Sequence, residues 1–125
     1  MTGTELIGIS AAGALGAPAR YAIDTVISRR RRDALPVGIF VINVTGSLVL
    51  GLIAGAALYH GFGGAPRAWL GTGFCGAYTT FSTFGLQTVG LVELREQRAA
   101  GTYVVASTVV GLAAAATGLW VAGVL

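Results

Sequence analysis

Four apolar stretches, approximately residues 4–28, 37–58, 69–92 and 103–125, account for nearly all of this 125-residue chain. Each reaches the roughly 20 residues needed to cross bilayer hydrocarbon. With 54% hydrophobic and 10% charged residues, the composition is that of an integral membrane protein. A backbone in lipid must satisfy its own N–H and C=O groups, so the expected architecture is all-α, one four-span domain over 1–125. The connections are short: Arg29 to Pro36, His60 to Pro66, and Glu93 to Gly101. Pro36 and Pro66 each precede an apolar run, where a missing N–H costs nothing at a helix start. Glu5, with no basic cluster, stands before the first run, which is therefore expected to be a retained span rather than a cleaved leader.

The third stretch breaks the pattern. From Gly71 to Phe84 it reads GTGFCGAYTTFSTF. Gly71, Gly73 and Gly76 each weaken regular helix by roughly 1 kcal/mol relative to alanine. Thr79, Thr80, Ser82 and Thr83 gain nothing from facing lipid. A broken helix is expected here, and broken helix at membrane depth lines an ion or solute path. Gly38, Gly46, Gly51 and Gly55 in the second stretch are read instead as close-packing positions between helices. Cys75, the single cysteine, has no partner for an intrachain disulfide and is read as a small buried apolar residue.

All eight basic residues are arginines, and they are unevenly shared. Arg29, Arg30, Arg31, Arg32, Arg95 and Arg98 fall on one side of an alternating four-span chain, and Arg67 on the other. The positive-inside rule makes the arginine-rich loops cytoplasmic and both termini external, with one fixed orientation in the cell membrane. The run also suits contact with anionic lipid. Within the first span, Arg20 and Asp24 lie at i and i+4, where they can neutralise each other. The functional alternative is that Arg20 lends a positive field to a vestibule that collects anions. His60 is read as a solvated loop residue, with no second ligand to make a metal site.

Spans two to four carry no charged residue. A proton-coupled exporter would need a carboxylate near mid-membrane, and a hydrolase would need a base beside Ser82. Neither is present, which leaves a passive path of neutral donors. Asn43 offers an amide, Tyr103 and Ser107 share a face of the fourth span, and Thr79, Ser82 and Thr83 cluster on the third. Phe81 and Phe84 fall within about 60° on a helical wheel, and their ring edges can face an anion.

These residues carry a resemblance to the Fluc or CrcB fluoride channels over essentially the full length. It rests on GAPARY (Gly16 to Tyr21), on Asn43 followed by Gly46 and Ser47, and on GFCGAYTTFSTF (Gly73 to Phe84). The resemblance implies an antiparallel dual-topology dimer with two fluoride pores and a structural, untransported Na+ at its centre. It assigns Phe81 and Phe84 to an aromatic box, and Asn43, Thr83, Tyr103 and Ser107 to the fluoride path. The Na+ would be held by backbone carbonyls of Gly76 and Thr79. Relief of cytoplasmic fluoride is the implied purpose, and the chain is not expected to be an enzyme.

Three positions depart from the family pattern. Ala77 stands for a usual glycine, Ile39 for a threonine after Gly38, and Gln87 for a glutamate after the aromatic box. Together with the arginine bias they raise a choice between a homodimer and a heterodimer with an oppositely oriented homologous chain. Two rival functions remain open. A small multidrug exporter relies on a glutamate in span one, where Ser10 to Leu15 holds no acid. In a non-transporting scaffold or assembly protein, the polar patch would serve only packing.

Overall fold

The computed structural model describes residues 1–33 and 35–125, and all regular structure among them is helical. α1 (Gly3–Arg30) opens with a capping box. Thr2 Oγ1 accepts from the Glu5 N–H at 3.3 Å, and Glu5 Oε2 accepts from the Thr2 N–H at 2.7 Å. α2 (Val37–His60) begins after Pro36 and stops at Gly61, whose φ of 67° is left-handed and suits only glycine well. α1, α2 and α6 (Gln97–Val124) are each long and apolar enough to cross a membrane. α6 starts before the fourth hydrophobic stretch does, because hydropathy marks the lipid-facing part of a helix and not its polar first turn.

The third stretch crosses only as two arms. α3 (Gly64–Ala68) runs into a π-helical segment, Trp69–Cys75, then a final turn, α4 (Gly76–Tyr78). The helix stops at Thr79, where ψ swings to 160°, and resumes as α5 (Ser82–Glu93). The expected break in the third span is therefore present. The wide π turns follow from the glycines, since the Gly76 N–H reaches back to the Gly71 carbonyl. At Gly73 an added Cβ would lie 2.7 Å from the Ile9 carbonyl, so α1 packs directly on the π backbone.

Three glycines set the contact between α2 and α6. A Cβ at Gly51 would stand 3.0 Å from Ala115 Cα, one at Gly55 would stand 2.9 Å from the Leu119 carbonyl, and one at Gly118 would stand 2.7 Å from the Leu52 nitrogen. Backbone meets backbone, and dispersion and Cα–H···O contacts replace a hydrophobic effect that lipid does not supply. A three-residue turn, with Arg95 at φ 61° and Glu96 N–H donating to the Leu91 carbonyl at 2.9 Å, folds α6 back along α5. That turn brings Tyr103 beside Phe84. Leu91, Ala100 and Tyr103 form one core cluster, and Ile39, Ile42 and Tyr78 form the other.

A methyl-bearing residue at the α2–α6 crossing must push the backbones apart. Gly118→Val is expected to cost about 1–3 kcal/mol and to lower the thermal midpoint in detergent. Gly90→Ala is the control: nothing lies within 4 Å of its added Cβ, and the change should be neutral or slightly stabilising.

Candidate functional site at the broken third span

The break exposes backbone polar groups in a region that lipid would otherwise keep dry, and Asn43 on α2 takes two of them. Asn43 Nδ2 donates to the Thr80 carbonyl at 2.9 Å, and the Thr80 N–H donates to Asn43 Oδ1 at 2.9 Å. Because the backbone N–H can only donate, this pairing also fixes which end of the amide is which. Thr80 then closes the start of α5. Its Oγ1 accepts from the Thr83 N–H at 3.2 Å and donates to Thr83 Oγ1 at 3.1 Å. Thr83 thus turns its hydroxyl onto the break.

Two carbonyls lose their helical donors by this arrangement. In a continuous helix the Thr80 N–H would return to Gly76 and the Thr83 N–H to Thr79. Here the first goes to Asn43 and the second to Thr80 Oγ1. Gly76 is exposed on the surface of the protomer, and Thr79 is half-buried. Thr79 also carries an Oγ1 bond to the Cys75 carbonyl at 2.9 Å.

Arg20 does not pair with Asp24. Its Nη1 reaches the Thr79 carbonyl at 3.4 Å, while Asp24 lies against Gly38 and accepts a long bond of 3.5 Å from Ser28 Oγ. Helical spacing made the i, i+4 pair available, but a carbonyl freed by the break competes for the guanidinium. Among the described residues the one ion pair is Arg31 with Asp33, in the loop after α1. His60 is not a free loop residue either, since its Nε2 lies 2.6 Å from the Ala122 carbonyl and ties the ends of α2 and α6 together.

Beside the break, Asn43, Ser47, Leu50, Thr79, Thr80 and Phe81 line a cavity of about 220 Å³ with no charged group in its wall. Phe81, 83% exposed, stands at its edge, and its ring centroid is 5.8 Å from that of Phe84. Phe84 in turn contacts the Tyr103 ring at 5.1 Å. Tyr103 Oη donates to Gln87 Oε1 at 3.0 Å. Ser107, one turn further along α6, has a buried hydroxyl without a hydrogen-bond partner. The structure therefore brings Asn43 and Phe81 to one cavity and links them through Phe84 to Tyr103. Ile39 lies outside this row: it is 1% exposed and packed with Ile42 and Tyr78.

Sequence reasoning counts Thr80 among the hydroxyls of the break but gives it no role, although Thr80 and Thr83 have the spacing of a side-chain cap. Ser47, one turn from Asn43, also lines the cavity, and the sequence marks it only through its place in the Asn43–Gly46–Ser47 motif.

Comparison with known proteins adds an independent line. The family described as "CrcB-like protein, Camphor Resistance (CrcB)" matches residues 7–119. A protein of Leifsonia xyli named fluoride-specific ion channel FluC 1 is 46% identical over 123 residues, covering 98% of this chain and 90% of that one. The Nitrobacter hamburgensis protein of the same name is 40% identical over the whole of both chains. A fluoride-specific ion channel FluC 2 of Rhodococcus jostii is 45% identical over 86% of this chain and 89% of its own length.

The geometry of the break yields a stability prediction that does not depend on function. Asn43→Leu leaves the Thr80 N–H and carbonyl without partners and is expected to destabilise the folded protein by about 2–5 kcal/mol in thermal or denaturant unfolding. Thr83→Val keeps its backbone bond to Thr80 and should cost less than about 1 kcal/mol.

Proposed function

This chain belongs to the CrcB family, and we propose that it is a fluoride-selective passive channel through which cytoplasmic fluoride leaves the cell. The observation that carries the reading is the uncharged polar cavity at the break, joined through Phe81 and Phe84 to Tyr103. Fluoride is small and strongly hydrated. A path for it must replace water with several donors, none strong enough to trap the ion. Amide, hydroxyl and aromatic edge groups meet that requirement, whereas a fixed arginine in the narrow part would not. The unpaired Ser107 hydroxyl has a proton available for the same purpose.

The path is completed in an antiparallel dimer. One protomer supplies only part of a wall, and Phe81 stands open at its edge. The donor set of the break also fits a cation: the Gly76 and Thr79 carbonyls have given up their helical partners, and the long Arg20 contact leaves Thr79 a second lone pair. Two carbonyls are few for an ion stripped of water, and a second chain would double them. A sodium ion held there would supply a fixed positive charge beside the path.

The arginine bias of six against one opposes insertion in both directions. We assign the arginine-rich loops to the cytoplasm and both termini to the outside, and the partner to an oppositely oriented homologous chain rather than a second copy.

The test is fluoride efflux from sodium-containing liposomes, read with an electrode and repeated with chloride. The expected result is fluoride efflux without chloride efflux when the chain is reconstituted with an oppositely biased homologue, and little when it is alone. Rapid efflux from the chain alone would overturn the obligate partner while keeping the channel. Absence of efflux in both preparations would overturn the channel and favour the scaffold. Phe81→Ile with Phe84→Ile should abolish flux in a protein that still unfolds cooperatively. Exchange of sodium for a large organic cation should lower the thermal midpoint of the assembled protein.

A further inference from the structure

Between the starts of α2 and α6 lies a cavity of about 370 Å³ that has no part in the site at the break. Its walls are almost wholly hydrocarbon: Val37 and Phe40 from α2, Ala99, Thr102 and Ala106 from α6, and the ring of Tyr103, whose hydroxyl is given to Gln87 Oε1. An ion would meet too few donors here, so whatever fills the cavity is apolar along this wall. A second hollow, of about 520 Å³, follows α6 itself past Val105 to Val110 and shares Thr102 and Ala106 with the first.

One charged group belongs to this junction. Arg98 also lines the first cavity, and with Thr102 and Ala106 it falls at i, i+4 and i+8 on one stripe of α6, about 12 Å from end to end. It is exposed, and among the described residues it makes no ion pair, although Glu93 and Glu96 are near it in sequence. Along the stripe a cation comes first, and two apolar hollows then run into the span. That is the order of head and chains in a lipid leaflet. A guanidinium suits the phosphodiester of such a head, since two parallel N–H donors match two phosphate oxygens. A protein partner answers the pattern less well. Both chains of an oppositely oriented pair keep their arginines on the cytoplasmic side, so at this level a partner brings more positive charge rather than a counter-ion.

We propose that this groove holds one two-chain anionic phospholipid, its phosphate on Arg98 and its chains on either side of Thr102 and Ala106. The site is distinct from the diffuse attraction that the run Arg29 to Arg32 exerts on any anionic surface, and it does not depend on which ion the protein conducts.

The test is native mass spectrometry of the full chain, in its assembled state, released from vesicles of mixed phosphatidylcholine and phosphatidylglycerol. Phosphatidylglycerol is expected to stay bound, one molecule to each chain, under conditions that strip phosphatidylcholine. Arg98→Gln should weaken that retention about fivefold, the share of one basic side chain at a membrane surface. Arg30→Gln removes the same charge from the first loop and should change retention little. Thr102→Trp fills the groove from an exposed position and should release the lipid with Arg98 still present. Equal losses in Arg98→Gln and Arg30→Gln would reduce the effect to diffuse attraction and overturn the site, as would equal retention of the two lipids or a Thr102→Trp variant that keeps its lipid. Phosphatidylglycerol on the monomer but not on the assembled protein would give the groove to a partner chain and overturn the proposal as well.

Discussion

The fold depends on one side chain pairing with the backbone of one residue. A helix that stops in the middle of a membrane leaves N–H and C=O groups that lipid cannot satisfy, each at a cost of several kcal/mol. Asn43 answers both ends of this demand at Thr80, as a neighbouring β-strand would, with two bonds of 2.9 Å. The amide is neutral, so it repairs the break without placing a charge there. It also fixes the distance from α2 to the break, and with it the position of Phe81 and the shape of the cavity they share. By capturing the Thr80 N–H it leaves the Gly76 carbonyl without its helical donor.

The tightness of the α2–α6 contact serves the same end. Tyr103, Ser107 and Asn43 sit on these two helices, and Gly111 faces Ser47 Oγ across the seam, where an added Cβ would stand 3.7 Å away. Bulkier residues at Gly51 or Gly118 would separate the helices and move the polar row of α6 away from Asn43. Small residues here therefore hold the two helices at the separation that places these side chains.

Much of this was legible in the sequence, because membrane insertion leaves few options. Apolar length set the spans, and the glycines and hydroxyls of Gly71 to Phe84 marked the break. What stayed hidden depends on distance across the fold. Arg20 and Asp24 have the spacing of a helical ion pair, yet a carbonyl freed on another helix attracts the guanidinium, and no pattern local to α1 reports that. Thr83 and Thr80 illustrate the converse. Their spacing carries the signal of a cap, but amid four hydroxyls in five residues it does not say which face the helix and which face the cavity. The π segment escaped as well, since glycine spacing reveals weakness in a helix and not the form that weakness takes.

The distribution of charge makes the last step of the argument. An ion channel must compensate the loss of water without binding the ion tightly, so the useful place for full charges is the rim, where water still screens them. This chain follows that rule along its length. Arginines crowd one end, Arg67 stands at the other, and between them the cavity wall offers amide, hydroxyl, aromatic and aliphatic groups and no charge. Arg20 and Asp24 are the exceptions inside the first span: Arg20 is directed to a carbonyl that has lost its helical donor, which absorbs part of its field, and Asp24 accepts from Ser28 Oγ.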